Sequence, residues 1–169
     1  MKKKHRKCFD VVACVLFAAQ PLLAQFTKLD YKVTTVGKIR QVLNNQGTLD
    51  KAMTRYPGLI MAEFPAGSDE EHLYQGGLWV GAITPSGDTL VSETRSHYAP
   101  LEFYPSASQW DTVWVGAKGD TLQIPYWPNY VAVSDQDFIC RYNDYNLLNI
   151  PDHTPLYVEI TQTTYAWSS

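Results

Sequence analysis

The stretch W-V-G-A-I-T-P-S-G-D-T-L, residues 79–90, decides the fold class, and a shorter copy, W-V-G-A-K-G-D-T-L, covers residues 114–122. In each copy, a short apolar run is followed by a turn with a glycine, which adopts a positive φ without steric cost. After the turn, a second strand-like run begins with Thr-Leu. This order predicts two β-hairpins. Two copies are too few for a solenoid or a propeller, so we expect both hairpins to belong to one sandwich.

The rest of the chain repeats this alternation of strand-like runs and turn residues. Aromatic residues make up 13% of the sequence, and runs of β-branched and aromatic residues between Gly, Pro, Asn and Asp are typical of antiparallel strands. Strands are predicted over residues 26–33, 36–43, 58–64, 137–142 and 156–160. The run 36–43 also has helical spacing, and 123–130 holds two prolines that favour an edge strand or a loop. We therefore predict an all-β fold, an antiparallel β-sandwich built from hairpins and incomplete at its C-terminal end.

The N-terminus has the three parts of a secretory signal peptide. Five basic residues lie within residues 2–7, an apolar run covers 11–19, and Pro21 precedes the small residue Ala24. An apolar run this short does not cross a bilayer, which takes about 20 residues, so it predicts cleavage rather than anchoring. We expect residues 1–24 to be the signal peptide and residues 25–169 to be a single β-sandwich domain. Sec export would bring it to the cell surface or the medium, with membrane contact only during export.

The charge of the exported part disfavours nucleic acid as a partner. Residues 1–24 hold five of the 14 basic and one of the 17 acidic residues, which leaves residues 25–169 with a net charge of −7. Such a chain lacks the cationic side chains that neutralise phosphates. Cys140 is the one cysteine in this part, so no internal disulfide is possible, and its apolar neighbours predict that it is buried.

Exposed aromatic residues are the first candidate binding site. A flat platform of Trp and Tyr stacks on sugar rings, because these side chains combine an apolar body with a polar group. The predicted platform consists of Trp110, Tyr126, Trp127 and Tyr130. The alternative for these side chains is packing in the core of a sandwich.

Acidic residues around the strand 137–142 are the second candidate site. Asp135, Asp137 and Asp144 carry the carboxylate oxygens that Ca²⁺ prefers, so they are predicted as possible calcium ligands. The alternative is that these residues close turns on either side of the strand. Catalytic patterns are missing from the sequence: it shows no nucleophile elbow, no phosphate-binding glycine loop and no metal-type His or Cys spacing. We therefore expect no enzyme activity.

Several short motifs follow one another in an informative order. They are E-F-P-A-G-S at 63–68, G-G-L-W-V-G-A at 76–82, Y-W-P at 126–128, S-D-Q-D at 134–137, Y-N-D at 142–144, V-E-I at 158–160 and Y-A-W at 165–167. In this order they resemble the opening β-rich domain of large secreted proteins of Bacteroidota and related phyla, over roughly residues 36–167. The resemblance implies Sec export, further β-sandwich domains and the type IX secretion system. It does not assign an enzyme activity, because the role of this family is largely unassigned. Many such proteins carry an acidic, calcium-like loop after the W-P motif, which is missing at residues 129–132 here.

These observations predict a non-catalytic extracellular module of a secreted or cell-surface multidomain protein, acting in assembly or adhesion. Its expected partners are the following domains of the same polypeptide, other envelope proteins and surface glycans. The alternative is a carbohydrate-binding module attached to a secreted hydrolase.

Overall fold

The computed structural model describes residues 29–49, 60–73, 76–94, 101–105, 111–145 and 152–168. In these residues the ordered elements are ten strands: β1 (Tyr31–Val33), β2 (Arg40–Asn44), β3 (Ala62–Glu63), β4 (Trp79–Ile83), β5 (Thr89–Glu93), β6 (Trp114–Gly116), β7 (Thr121–Ile124), β8 (Trp127–Val131), β9 (Gln136–Asn143) and β10 (Glu159–Ala166). They form antiparallel sheets in the orders β1-β2-β3, β10-β9-β6, β4-β5 and β7-β8. The predicted all-β, antiparallel and sandwich-like fold is confirmed. Within the described residues no helix has the length and apolar character needed to cross a membrane.

The sheet β10-β9-β6 is the centre of the fold, and β9 is its middle strand. β9 pairs with β10 over eight residues and with β6 over three. Side chains alternate between the two faces of a strand, so β9 contributes to two separate clusters of the core. Phe138, Cys140 and Tyr142 point to one face, and Ile139 points to the other.

Each face of this sheet is covered by other strands. On the first face, the β9 side chains pack with Leu43 of β2, Phe103 and Val113. On the second face, Ile139 packs with Ile124 of β7 and with residues of β8. Burial of apolar area on both sides is the main stabilising contribution to such a layered fold. The predicted burial of Cys140 is confirmed, since 3% of this residue is exposed.

The first copy of the repeated stretch is the predicted hairpin. β4 and β5 pair over five residues, from Trp79 opposite Glu93 to Ile83 opposite Thr89. The turn is closed by bonds from Gly87 N to Thr84 O (2.9 Å) and from Thr84 N to Asp88 O (2.8 Å). Gly87 has a φ of 92°, as a three-residue hairpin loop requires.

The second copy is not a hairpin, so that prediction was wrong. Its turn forms as expected, with Asp120 N bonded to Ala117 O and Gly119 at a φ of 90°. However, β6 pairs with β9, whereas β7 pairs with β8. The turn therefore carries the chain from the central sheet into the covering layer. Gly116 lies at this crossing, where a Cβ atom would be 3.1 Å from Leu122 and 3.2 Å from Ala132.

Each of the other predicted runs contains a strand in its described part, but these strands begin later than predicted in 36–43 and in 156–160. The run 36–43, which also had helical spacing, ends in the strand β2. The Pro-containing run 123–130 lies in the two-stranded sheet β7-β8, so Pro128 sits on an edge strand as expected. Residues 1–28 lie outside the described residues, so the signal peptide stays a prediction.

Candidate functional site

An exposed apolar surface lies on one side of the β4-β5 hairpin. Trp79 and Ile83 of β4 are 67% and 75% exposed, and Val91 of β5 is 47% exposed. The register places them on the same side, because Gly81 lies between the two β4 residues and opposite Val91. On the other side, Val80 packs against the core. We call Trp79, Ile83 and Val91 the hairpin face.

A second exposed surface is aromatic and lies beside β8 and the end of β10. Trp127 is 42%, Tyr165 41% and Trp167 57% exposed. Tyr130 lies beneath Trp127, with its ring centroid 4.7 Å from that of Trp127. The rings of Tyr165 and Trp167 are 6.0 Å apart. We call Trp127, Tyr165 and Trp167 the aromatic surface.

Strand register explains why these aromatic residues meet. Tyr165 is paired with Asp137 of β9, and directly opposed residues of two strands share a face. The Asp137 carboxylate accepts a hydrogen bond from the Tyr130 hydroxyl (2.7 Å), so this is the face covered by β7-β8. Trp167 follows Tyr165 by two residues, and this spacing is the sequence signal from which both residues were predictable.

The predicted sugar-binding platform is only partly exposed. Trp127 is on the surface, whereas Tyr130 is 7% exposed and belongs to the core cluster with Ile124 and Ile139. Tyr126 packs partly against the same cluster, and the Arg141 guanidinium carbon lies 4.2 Å from its ring centroid. Burial raises the pKa of both tyrosines, and the bonded Asp137 raises that of Tyr130 further. Trp110 lies outside the described residues, and sugar binding stays a prediction.

The predicted calcium ligands Asp135 and Asp137, at the start of β9, both accept hydrogen bonds from protein groups. Asp137 accepts hydrogen bonds from the Tyr130 hydroxyl, Val133 N (2.7 Å), Ser134 N (2.9 Å) and Ser134 Oγ. Burial alone would raise the pKa of Asp137, but these donors outweigh it and hold the pKa below its usual range. Asp135 accepts bonds from Ser168 N (2.7 Å) and Ser168 Oγ (2.6 Å).

The third predicted ligand, Asp144, lies beyond the other end of β9. It lies seven positions after Asp137, a distance of roughly 23 Å at 3.3 Å per residue. Its carboxylate accepts bonds from Leu156 N (2.6 Å) and Val158 N (2.8 Å). The structure therefore does not bring the three carboxylates together. In the described part of the chain, no group of three or more His, Cys, Asp or Glu residues is arranged to hold a metal ion.

A buried polar cluster was not predicted from the sequence. Ser92 Oγ lies 3.3 Å from His153 Nε2, and His153 Nδ1 lies 3.2 Å from Glu102 Oε1. This connectivity is that of a serine hydrolase triad. However, Ser92 is completely buried, and its hydroxyl donates a 2.7 Å hydrogen bond to Asp144. The cluster therefore links β5 with three other segments, those of Glu102, Asp144 and His153, and offers no accessible nucleophile. Its members come from four separate segments without a shared motif, so sequence spacing gave no signal.

A cleft of about 680 Å³ lies beside β1 and β2. Apolar residues such as Val33 and Ile60 line it together with Arg40 and Asp69. Arg40 forms an ion pair with the fully buried carboxylate of Glu63. Its charge is therefore already neutralised by this partner, and Arg40 is the one cationic side chain among the described residues that line the cleft.

Comparison of the chain with protein-family models, with curated proteins and with solved structures found no match. The resemblance to secreted proteins of Bacteroidota stays a prediction, and the surfaces described above are the basis for a functional proposal.

Proposed function

We propose that the chain is a non-catalytic, extracellular interaction module that binds another protein domain through the hairpin face. The observation that supports this most is the exposure of Trp79, Ile83 and Val91 on one side of a single hairpin. Monomeric soluble proteins rarely leave large side chains of this kind together in water, and such patches mark interaction sites.

The chemistry of the hairpin face favours a protein partner. Two of its three side chains are aliphatic, and aliphatic groups pack against other apolar side chains but offer no hydrogen bonds to sugar hydroxyls. A buried Trp at the centre of an interface is a frequent source of binding energy. The opposite side of the hairpin is held by the core through Val80, so the face is presented on a fixed support.

Photo-crosslinking from position 83 tests this function. The protein is produced in its own organism with a photoreactive phenylalanine analogue in place of Ile83 or, as a control, of the exposed turn residue Lys118. We expect one crosslinked protein from position 83 and none from position 118. The variant Trp79→Asp should abolish the crosslink. Identical products from both positions, or no product from position 83, would contradict the proposal.

A carbohydrate-binding function is the second candidate, and the aromatic surface favours it. Trp127, Tyr165 and Trp167 are exposed, and Trp127 lies two positions before Asn129, whose side-chain amide accepts a hydrogen bond from Gln123. Aromatic rings with neighbouring donors and acceptors suit a sugar, which presents apolar C–H faces and hydroxyl edges.

Calorimetric titration of the purified chain with soluble polysaccharides tests this second candidate. If the aromatic surface binds sugar, Trp127→Ala and Trp167→Ala should each weaken binding by about tenfold, the usual size of an aromatic stacking contribution. Trp79→Ala is the matched control, because it removes an equally exposed tryptophan from a different surface. Equal losses in all three variants would argue against a site on the aromatic surface.

A further inference from the structure

β10 is a long strand at an open edge of the central sheet. Over all eight residues its inner side pairs with β9 in unbroken register. Proteins usually protect such edges with Pro, Lys, bulges or short strands. The sequence E-I-T-Q-T-T-Y-A of β10 has no proline or basic residue, and its one charge is Glu159. β8, in contrast, contains Pro128 and a register shift in its pairing with β7.

Hydrogen bonds at both ends of β10 show which backbone groups point outward. Val158 O accepts a bond from Asp144 N (3.3 Å), and Ala166 N donates to Ser134 Oγ (3.2 Å). Ser134 and Asp144 flank β9, so these two bonds show that the even-numbered residues between 158 and 166 direct their N–H and C=O groups toward β9. Direction alternates along a strand, so the odd-numbered residues direct theirs to the open edge. These are Glu159, Thr161, Thr163 and Tyr165, and no described residue bonds to their outward backbone groups.

We propose that β10 pairs antiparallel with β10 of a second copy of this chain, with Gln162 opposite Gln162 on the two-fold axis. Outward groups of two antiparallel strands meet only when odd-numbered residues oppose odd-numbered residues. In this register Glu159 opposes Tyr165 of the copy, and Thr161 opposes Thr163. All outward groups then pair, which gives about eight interstrand hydrogen bonds. A shift by two residues in either direction leaves one residue at the end of each strand unpaired.

The strand is complementary to itself in this arrangement. The two Glu159 side chains are six residues apart along the ladder, roughly 20 Å, which exceeds the screening distance of about 8 Å at physiological salt. Threonine pairs, here Thr161 with Thr163, are favourable across antiparallel strands. The pairing uses the β10 edge of each of the two copies, so it gives a two-fold dimer with a six-stranded sheet, and this contact does not continue into a filament.

Disulfide trapping tests both the partner and the register. Non-hydrogen-bonded residues opposite each other have Cα atoms about 4.5 Å apart, within the range of a disulfide. In a chain with Cys8→Ser and Cys14→Ser, we expect Gln162→Cys to form a covalent dimer on mild oxidation. Thr164→Cys is the matched control on the same face of the strand. It lies opposite Ile160 of the copy, so the two introduced thiols are roughly 14 Å apart and should stay reduced.

Sedimentation velocity provides the second measurement. The wild-type chain should sediment at twice its monomer mass in the micromolar range. Thr163→Pro removes an outward N–H and no bond to β9, so the dimer dissociation constant should rise by about tenfold or more. A monomer at all concentrations would overturn the proposal. So would a dimer in which Gln162→Cys fails to crosslink, and this outcome does not depend on the folding of Thr163→Pro.

Discussion

Replacement of Asp137 by alanine should be among the most destabilising substitutions in this chain. The carboxylate is fully buried at the start of β9 and accepts four hydrogen bonds from Tyr130, Val133 and Ser134. These bonds join the end of β8 to the central sheet. Alanine would leave the hydroxyl of Tyr130 and the backbone N–H groups of Val133 and Ser134 without their acceptor.

The expected cost follows from the number of donors left without a partner. A buried donor that loses its acceptor costs about 1–3 kcal/mol, and the losses around one carboxylate are not additive. We expect Asp137→Ala to lower the free energy of unfolding by about 4 kcal/mol, a large part of the about 5–15 kcal/mol typical of a domain. Asp137→Asn retains one acceptor oxygen and should cost about 2 kcal/mol. Tyr130→Phe removes a single donor and should cost about 1 kcal/mol.

Urea unfolding at pH 7, followed by tryptophan fluorescence, measures these free energies by linear extrapolation. The expected order of stability is wild type, Tyr130→Phe, Asp137→Asn and Asp137→Ala. If Asp137→Ala costs less than about 1 kcal/mol, the carboxylate does not hold β8 to β9 as described. An equal cost for Tyr130→Phe and Asp137→Ala would likewise refute the role of the backbone donors.

Three further predictions concern turns, pH and metal ions. Gly87→Ala should lower the free energy of unfolding by about 1 kcal/mol, because Gly87 has a positive φ but open space around it. Gly47→Ala should lower it by about 3 kcal/mol, because Gly47 also has a positive φ and its added Cβ would lie 2.6 Å from the Tyr142 ring. Urea unfolding of both variants checks the difference. The pKa values of Asp30 and Asp137 are lowered in the folded protein, because their hydrogen bonds outweigh the effect of burial. The stability that these two carboxylates contribute is therefore present above about pH 4 and is lost as the pH falls below it. The urea midpoint should therefore drop between pH 5 and pH 2.5, and less steeply in Asp137→Asn. Added calcium should leave the melting temperature unchanged relative to EDTA, because the donors around Asp137 already occupy its oxygens; a rise of several degrees would contradict this.

Local sequence patterns predicted the features that neighbouring residues determine. The turn glycines Gly87 and Gly119 were predicted correctly, since positive φ is a property of the turn itself. The apolar neighbours of Cys140 likewise predicted its burial, which β9 shows. These signals depend on residues that are close in sequence.

Strand partners and site geometry depend on distant residues, and there the sequence was less informative. The two W-V-G-A copies share their turn chemistry, yet Trp114 pairs with Ile139, 25 positions further along the chain. From the sequence, Tyr130 and Trp127 were equal candidates for the sugar-binding platform. The packing of β8 on β9 decides which of the two rings is buried, and this packing is not visible in the sequence. The contacts of Ser92 with His153 also depend on the tertiary fold alone.

The binding affinity of the protein captured from position 83 tests the proposed interaction function most directly. Titration of that purified partner with the wild-type chain should be compared with Ile83→Asp and with Val131→Asp, which changes a valine that is 52% exposed on β8. A charge at the centre of an apolar interface should weaken binding by at least about 30-fold, the effect of an interface hot spot. Val131→Asp should change the affinity by less than about twofold. Equal affinities of wild type and Ile83→Asp would contradict binding through the hairpin face.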